Sequence, residues 1–152
     1  KIAYLTQTTL SIDDTQNIIN ELCKKFPNIE SSPKEDICYA TSNRQKAIKE
    51  YADKCDAFIV VGSKNSSNSN RLVEVAKKAG CINSHLLENA ESLNLSNYSS
   101  SNIIGISSGA SVPEILVENI ISKFQKNYSL EIENVSLGEE NVQFKLPKEV
   151  RN

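Results

Sequence analysis

The sequence of 152 residues lacks methionine and tryptophan entirely and has a single histidine. Because no methionine is available as an initiator, we expect the chain to be a piece of a longer protein. Its apolar runs, such as residues 57–61, are far shorter than the roughly 20 residues that span a bilayer. A net charge of −2 leaves no basic excess for contacts with phosphate backbones. We therefore expect neither a membrane nor a nucleic acid as a partner.

The four cysteines show neither a C-x-x-C pair nor the dense spacing of a disulfide framework, which favours free thiols in a reducing compartment. Cys23, Cys55 and Cys81 lie in or beside apolar segments, and this indicates packing roles. Cys38 lies shortly before a predicted helix start, where the positive end of the helix dipole favours a thiolate. A structural role stays open for Cys38 as well.

Apolar and polar segments alternate in the order strand, polar loop, helix. This order occurs three times, with strands predicted at residues 2–5, 57–61 and 103–106. It predicts an α/β fold with a mostly parallel sheet and flanking helices. Helical spacing and caps predict four helices, at 12–26, 42–52 (opened by a Ser42–Gln45 capping box), 71–79 and from Pro113 at N1 onward. The shorter predicted elements are a strand at 81–87, a helical turn at 88–93, a loop at 94–102 and two antiparallel strands within 130–146.

The loops that follow the three predicted strands carry small hydroxyl and amide side chains. In a parallel sheet such loops meet at the carboxyl edge, where ligands bind. Neutral hydrogen-bond donors beside helix N-termini favour an anionic or hydroxylated small ligand. The side chains expected at this edge are Thr8, Thr9, Ser66, Ser67, Asn68 and Ser111.

Other interpretations of these loops remain open or are excluded by spacing. The serine- and asparagine-rich run at 63–70 agrees equally well with a flexible surface loop. It is not a Walker loop, because the glycine spacing and the terminal Gly-Lys-Ser/Thr are missing. Residues 107–111 do not meet the G-x-S-x-G pattern of a serine hydrolase, and His85 is most simply a strand residue.

Five segments, taken in order, closely resemble the LytB/IspH family of 4-hydroxy-3-methylbut-2-enyl diphosphate reductases. They are TQTTLS with the following DDT, DICYATSNRQ, VVGSKNSSNSNRL, SSGASVPEILV and EENVQFKLPKE. The resemblance implies three similar α/β units in a trefoil-like arrangement around a cavity that holds a [4Fe–4S] cluster. Residues 1–36 would then be the end of the second unit, and residues 37–152 would be the third unit with a hairpin-like C-terminal tail. The junction would lie at residues 34–36.

The resemblance also implies roles for individual residues. Cys38, the cysteine of DICYAT, matches the last of three cysteines that hold three irons of the cluster. Thr8 matches the family threonine beside the substrate hydroxyl, which implies a catalytic role in helping a glutamate relay protons. The residues implied in diphosphate binding are Ser66, Ser67 and Asn68, which match the family S-S-N, and Ser111, which matches the serine of G-A-S.

The implied reaction is the last step of the methylerythritol phosphate route to isoprenoids. An iron without a thiolate can take the allylic hydroxyl oxygen as a Lewis acid and pass electrons to the allyl system. Water is lost, and isopentenyl and dimethylallyl diphosphate result. The family further implies ferredoxin or flavodoxin as the electron donor, and a bacterial cytoplasm or a plastid-type organelle as the location.

The family's other two cluster cysteines, its diphosphate histidines and its catalytic glutamate all lie upstream of the TQTT motif, and His85 matches none of them. One thiolate cannot hold a cubane cluster. We therefore expect this chain alone to carry no stable cluster and no reductase activity. Two alternatives stand beside the reductase: a non-catalytic α/β module that binds a phosphorylated small molecule, and a structural interaction domain without a ligand.

Overall fold

Three short parallel strands form the sheet in the computed structural model, which describes residues 1–31 and 36–137. The central strand β1 (Ala57–Val61) lies between β2 (Ser84–Leu87) and β3 (Ile104–Ser108). Val61 is in register with Leu87 on one side and with Ser108 on the other, so the three strands end at one level. The predicted α/β fold with a parallel sheet and flanking helices is confirmed.

Four α-helices accompany the sheet in the described part of the chain: α1 (Ile12–Lys25), α2 (Tyr39–Tyr51), α3 (Ser67–Lys78) and α4 (Glu114–Gln125). Two short 3₁₀ segments, Ala52–Lys54 and Leu95–Tyr98, complete the regular structure. Within these residues no helix is both long enough and apolar enough to cross a bilayer.

The core lies on both faces of β1, whose five residues are all buried. Alternate side chains of a strand point to opposite faces. Phe58 and Val60 therefore pack with residues of α2 and α3, whereas Ile59 and Val61 pack with Ile120 of α4 and with the segment at 93–98. Burial on both faces explains why β1 reads as a continuous apolar run.

The strand predicted at residues 2–5 is wrong. Ala3 forms only an isolated parallel bridge with Glu30, and the side chains of Ile2 and Leu5 stay 51% and 81% exposed. A strand needs a neighbour that accepts its hydrogen-bond ladder and covers one face. The described residues offer this segment no such neighbour beyond Glu30, so apolar composition alone does not produce a strand here.

Three helix starts differ from their predictions. Helix α2 begins at Tyr39 with Cys38 as its N-cap, so Ser42 lies in the first turn and donates to the Tyr39 carbonyl. Helix α3 begins at Ser67, four residues before Arg71, because the Ser66 hydroxyl caps it. Pro113 is the N-cap of α4 instead of N1, since its extended ψ of 134° places it just outside the helix.

The shorter predicted elements are only partly correct. The strand expected at 81–87 forms at Ser84–Leu87, but residues 88–92 form bends and a turn, and the helical turn comes later, at Leu95–Tyr98, inside the expected loop. Residues 130–137 belong to neither a helix nor a strand. The rest of the expected hairpin, the EENVQFKLPKE motif and most of the expected unit junction lie outside the described residues, and the division into two units stays a prediction.

Candidate functional site

The loops after β1 and β3 both start with a glycine at the carboxyl edge of the sheet. The Gly62 amide donates to the Leu87 carbonyl at 2.9 Å, and the Gly109 amide donates to the Val61 carbonyl at 3.0 Å. These bonds extend the ladder by one residue past the strands. The two loops therefore leave the sheet side by side.

Both glycines lie against one buried side chain, Ser69, in the first turn of α3. A Cβ atom added at Gly62 or at Gly109 would overlap Ser69 Oγ. Val112, in the loop before α4, lies within 3.7 Å of the same Gly62 position. This close approach confirms that the loop carrying Ser111 and the N-terminus of α3 converge at the edge.

The Ser66 hydroxyl caps α3 and contacts Ser69. Its oxygen accepts from the Ser69 amide at 3.2 Å, and the two hydroxyls are hydrogen-bonded at 3.0 Å. A serine hydroxyl makes up to three hydrogen bonds, so Ser66 keeps capacity for one more. The bond from the Ser69 amide caps α3 and leaves the amides of Ser67 and Asn68, which precede the first intrahelical bond, to serve a ligand.

Asn68 carries an unsatisfied polar atom in this corner. The residue is only 9% exposed, and its Oδ1 has no hydrogen-bond partner in the described part of the chain. An orphaned buried polar group costs about 1–3 kcal/mol, so such groups call for an explanation. Because Oδ1 is an acceptor, only a group that donates a hydrogen bond would supply the missing partner.

The remaining predicted diphosphate residues face solvent. Ser67 is exposed as the first residue of α3, and Ser111 is exposed two residues before the Pro113 cap of α4. The N-terminus of a helix attracts anions through its free amides and its dipole. Two helix starts with exposed hydroxyls therefore share this edge.

Thr8 and Cys38, the two other predicted site residues, lie next to each other. The Cys38 amide donates to the Thr8 carbonyl at 3.1 Å, and both residues are exposed. Cys38 is the N-cap of α2, but its side chain makes no capping hydrogen bond. The thiol is therefore not needed to hold the helix and can serve another ligand.

Helix α2 directs Cys38 toward the same edge. It leads through the 3₁₀ segment at 52–54 directly into β1, and Ile48 near its C-terminus packs in the same cluster as Phe58 and Leu72. Since the C-terminus of α2 lies where β1 begins, its N-terminus points toward the end where β1 stops. Whether Cys38 and the serine corner share one cavity stays a prediction.

Three contributors to this region were missed by sequence reasoning. Ser69 fills the corner between the glycines, and a glycine directly after each of two strands was the available signal. The Glu88 carboxylate follows β2 and accepts from the Lys64 amide at 3.2 Å, which fixes the loop after β1. Gln45 was assigned to a capping box of its own helix, but its amide bonds the segment before α1 instead.

Comparison with known proteins decides the family. A family model described as LytB protein matches residues 1–125, most of the chain. The chain belongs to the LytB protein family. It spans about half the length of the curated relatives it matches.

Two such relatives are named 4-hydroxy-3-methylbut-2-enyl diphosphate reductase. The protein from Beijerinckia indica is 50% identical over 150 residues, which is 99% of this chain and 47% of the relative. The protein from Acinetobacter baumannii is 49% identical over 151 residues, covering 99% and 48%. Both matches extend across all the residues assigned above to the candidate site.

Solved structures of such reductases have the same fold. The E-1-hydroxy-2-methyl-but-2-enyl-4-diphosphate reductase from Plasmodium falciparum superposes with a TM-score of 0.88 at 38% identity, covering 98% of this chain and 47% of that one. A second structure, described as (E)-4-hydroxy-3-methyl-but-2-enyl diphosphate reductase, the terminal enzyme of the non-mevalonate pathway, gives 0.57 at 31% identity, covering 82% and 43%.

Within the described residues, no group of three or more His, Cys, Asp or Glu side chains is placed to hold a metal ion. Cys38 stays a candidate ligand, because its thiol is exposed and free.

Proposed function

We propose that this chain forms about half of a 4-hydroxy-3-methylbut-2-enyl diphosphate reductase. The observation that carries the proposal is the 50% identity to a relative of that name across 99% of the chain. The substrate carries a diphosphate and an allylic hydroxyl, and the carboxyl edge offers separate groups suited to each. We treat the edge as two parts, the serine corner (Ser66, Ser67, Asn68 and Ser111) and the Thr8–Cys38 pair.

The serine corner binds the diphosphate. Ser66 accepts from the Ser69 amide and is hydrogen-bonded to the Ser69 hydroxyl, and it keeps capacity for one further hydrogen bond. The amides at the start of α3 add further donors, and hydrogen bonds to a charged oxygen are worth about 1.5–3 kcal/mol each. A diphosphate oxygen only accepts hydrogen bonds, so Asn68 contributes through its amide nitrogen, which donates.

The Thr8–Cys38 pair serves the reacting end of the substrate. Cys38 fits a ligand of a [4Fe–4S] cluster because its thiol is exposed and takes no part in capping α2. When bound, such a cluster supplies electrons and a Lewis-acidic iron. The Thr8 backbone lies beside Cys38, and the Thr8 hydroxyl is the group that we assign to hold or pass a proton at the substrate oxygen. Two further cysteines, the other units of the three-unit arrangement, and ferredoxin or flavodoxin as donor would come from outside this chain.

The reductase proposal is tested with Cys38→Ser in the complete enzyme, in which the other half is present. We expect reductase activity to be lost while the binding of inorganic diphosphate persists, because the two parts of the edge are separate. Cys23→Ser is the matched control, since Cys23 is also an exposed thiol but lies on α1. Full activity of the Cys38→Ser enzyme would refute the role of Cys38 as a cluster ligand, whereas diphosphate binding by the complete parent protein without any reductase activity would favour the non-catalytic phosphate-binding module.

The serine corner is tested with Ser67→Ala, because Ser67 does not cap a helix. Loss of one charge-assisted hydrogen bond should weaken diphosphate binding about 10- to 100-fold, measured by isothermal titration calorimetry. Ser99→Ala, which removes an exposed hydroxyl away from the edge, is the control. The titrations use the complete enzyme, in which equal affinity of the two variants would contradict the assignment and no binding by the unsubstituted protein would favour a purely structural domain.

A further inference from the structure

Gln45 is fully buried in α2, and its amide bonds two backbone groups of another segment. Its Oε1 accepts from the Ile12 amide at 3.1 Å, and its Nε2 donates to the Leu10 carbonyl at 2.9 Å. Burying a primary amide is favourable only when its polar atoms are paired. Here both partners of the Gln45 amide belong to the loop before α1 and to the first residue of α1, more than 30 residues away in the chain.

Residues of the segment at 36–45 form hydrogen bonds with alternate residues of the segment at 6–12. The Asp36 carboxylate accepts from the Thr6 amide at 2.8 Å and from its hydroxyl at 3.2 Å. The Cys38 amide donates to the Thr8 carbonyl at 3.1 Å. Together with the two Gln45 bonds, these contacts fix residues 6, 8, 10 and 12 as a strip.

Thr8 lies in the middle of this strip, and its position depends on the residues around it. The Thr8 carbonyl accepts from the Cys38 amide, so the backbone of Thr8 is held at this point. Gln45 bonds the backbone at Leu10 and at Ile12, which lie between Thr8 and helix α1 or at its start. Cys38 and Gln45 are seven residues apart on α2, two turns and about 10 Å, so one rigid helix spaces the two attachment points.

We propose that Gln45 is a positioning residue that sets Thr8 relative to Cys38. The inference rests on the proposed function, in which Thr8 lies beside the reacting oxygen and Cys38 binds an iron. A displacement of about 1 Å in a catalytic group can cost about 100-fold in rate. Loss of the Gln45 bonds should therefore lower kcat, while the serine corner and substrate affinity are preserved.

The first test measures hydrogen exchange in the chain itself by mass spectrometry. Gln45→Met keeps the length of the side chain and removes both hydrogen bonds. We expect exchange about tenfold faster in peptides that cover 6–12 and Cys38, with β1 unchanged. Gln16→Met is the matched control, because Gln16 is an exposed glutamine of α1 that bonds only Asn20. Unchanged exchange at 6–12, or an equal rise in β1, would overturn the positioning role.

A second pair of variants removes the same bond from the other partner. Ile12→Pro deletes the amide donor at N1 of α1, where proline is tolerated, and Ile12→Ala keeps the donor but removes the same side chain. We expect Ile12→Pro, but not Ile12→Ala, to reproduce the exchange pattern of Gln45→Met. The same pattern in both Ile12 variants would assign the effect to packing and would overturn the inference.

The last test uses steady-state kinetics of the complete enzyme in a double-mutant cycle. If Gln45 acts through Thr8, Gln45→Met lowers kcat at least tenfold with little change in KM, and costs little more when Thr8→Ala is already present. Independent, multiplicative losses would refute this coupling. An inactive parent enzyme would instead overturn the proposed function, and the exchange data would still decide whether Gln45 fixes the strip.

Discussion

Ser69 and the two glycines that surround it allow a sharp test of the serine corner. Ser69 is fully buried, and a Cβ at Gly62 or Gly109 overlaps its hydroxyl oxygen. The two glycines differ in what else they would meet. A Cβ at Gly62 lies 2.6 Å from Ser69 Cβ, whereas a Cβ at Gly109 lies 3.6 Å from it.

Both Gly62→Ala and Gly109→Ala should destabilise the fold. Overpacking of this kind costs about 1–3 kcal/mol, and about 0.4–1 kcal/mol is regained because alanine restricts the unfolded chain. Neither glycine has a positive φ, so backbone strain adds nothing. The net loss is about 1–2 kcal/mol, which lowers Tm by about 2–8 °C in a chain of this size.

Ser69→Ala should rescue one variant and not the other. Alone it removes the bond to Ser66 Oγ and costs about 1 kcal/mol. With Gly109→Ala it removes the overlapping oxygen, and the nearest remaining atom, Val112 Cγ2 at 3.3 Å, needs only a small shift. With Gly62→Ala the Cβ–Cβ contact of 2.6 Å remains. The coupling free energy should therefore be near −1 kcal/mol for Gly109 and near zero for Gly62.

The assay is urea unfolding of the three single and two double variants, followed by circular dichroism, with Glu118→Ala, a change at an exposed position of α4, as the control. Two-state behaviour should give free energies that resolve a difference of 1 kcal/mol. Equal rescue of both glycine variants by Ser69→Ala would refute the geometry of the corner. So would the absence of any loss in Gly62→Ala.

Two further predictions follow from the charges and thiols outside the corner. A hydrogen bond from Lys78 lowers the pKa of Asp14, and the charge of Arg71 adds to this effect. The contribution of Asp14 to stability is therefore complete above about pH 4, the unfolded-state pKa, and is lost as the pH falls through the lowered pKa of the folded state. Because the pair is exposed, Asp14→Asn should lower Tm by only about 1–2 °C at pH 7, and thermal melts of the two proteins should converge near pH 2; a pH-independent gap would contradict this. In alkylation by iodoacetamide followed by mass spectrometry, exposed Cys23 and Cys38 should react before Cys55, because burial raises the pKa of the Cys55 thiol. Reaction of Cys55 as fast as Cys38 would disprove the burial.

The sequence predicted those parts of the fold for which a residue pattern favours a single local structure. The run at 57–61 is apolar on both faces, which only a central strand covered by helices explains, and Gly80 after α3 adopts the positive φ of 117° that helix termination favours. The helix starts failed because several residues compete as caps. Ser42 and Gln45 fit a capping box by their spacing. In the structure the Gln45 amide bonds Leu10 and Ile12 instead, and no local pattern encodes a contact across 33 residues.

The candidate site was predicted from the topology of the sheet and not from local residue patterns. Strand-to-helix loops in a parallel sheet must end at one edge, so the meeting of the Ser66 and Ser111 loops followed from topology. Asn68 was expected at this edge from the loop topology and again from the family motif, but its burial and its unpaired oxygen are properties of packing. The approach of Thr8 to Cys38 depends on hydrogen bonds between distant segments, from the Cys38 amide to the Thr8 carbonyl and between Gln45 and residues 10 and 12, which spacing alone cannot indicate.

The charge of the serine corner explains why half of a reductase would bind its substrate weakly. Ser66, Ser67, Asn68 and Ser111 are all neutral, and a helix N-terminus contributes only about +0.5 of an elementary charge. A diphosphate carries a charge several times larger, so these donors orient the anion without neutralising it. Under the proposed function, the remaining charge would be balanced by cationic or imidazole groups other than these four residues, just as one thiolate requires further ligands to hold a cluster. The diphosphate and the cluster would thus both depend on groups beyond the serine corner and the Thr8–Cys38 pair.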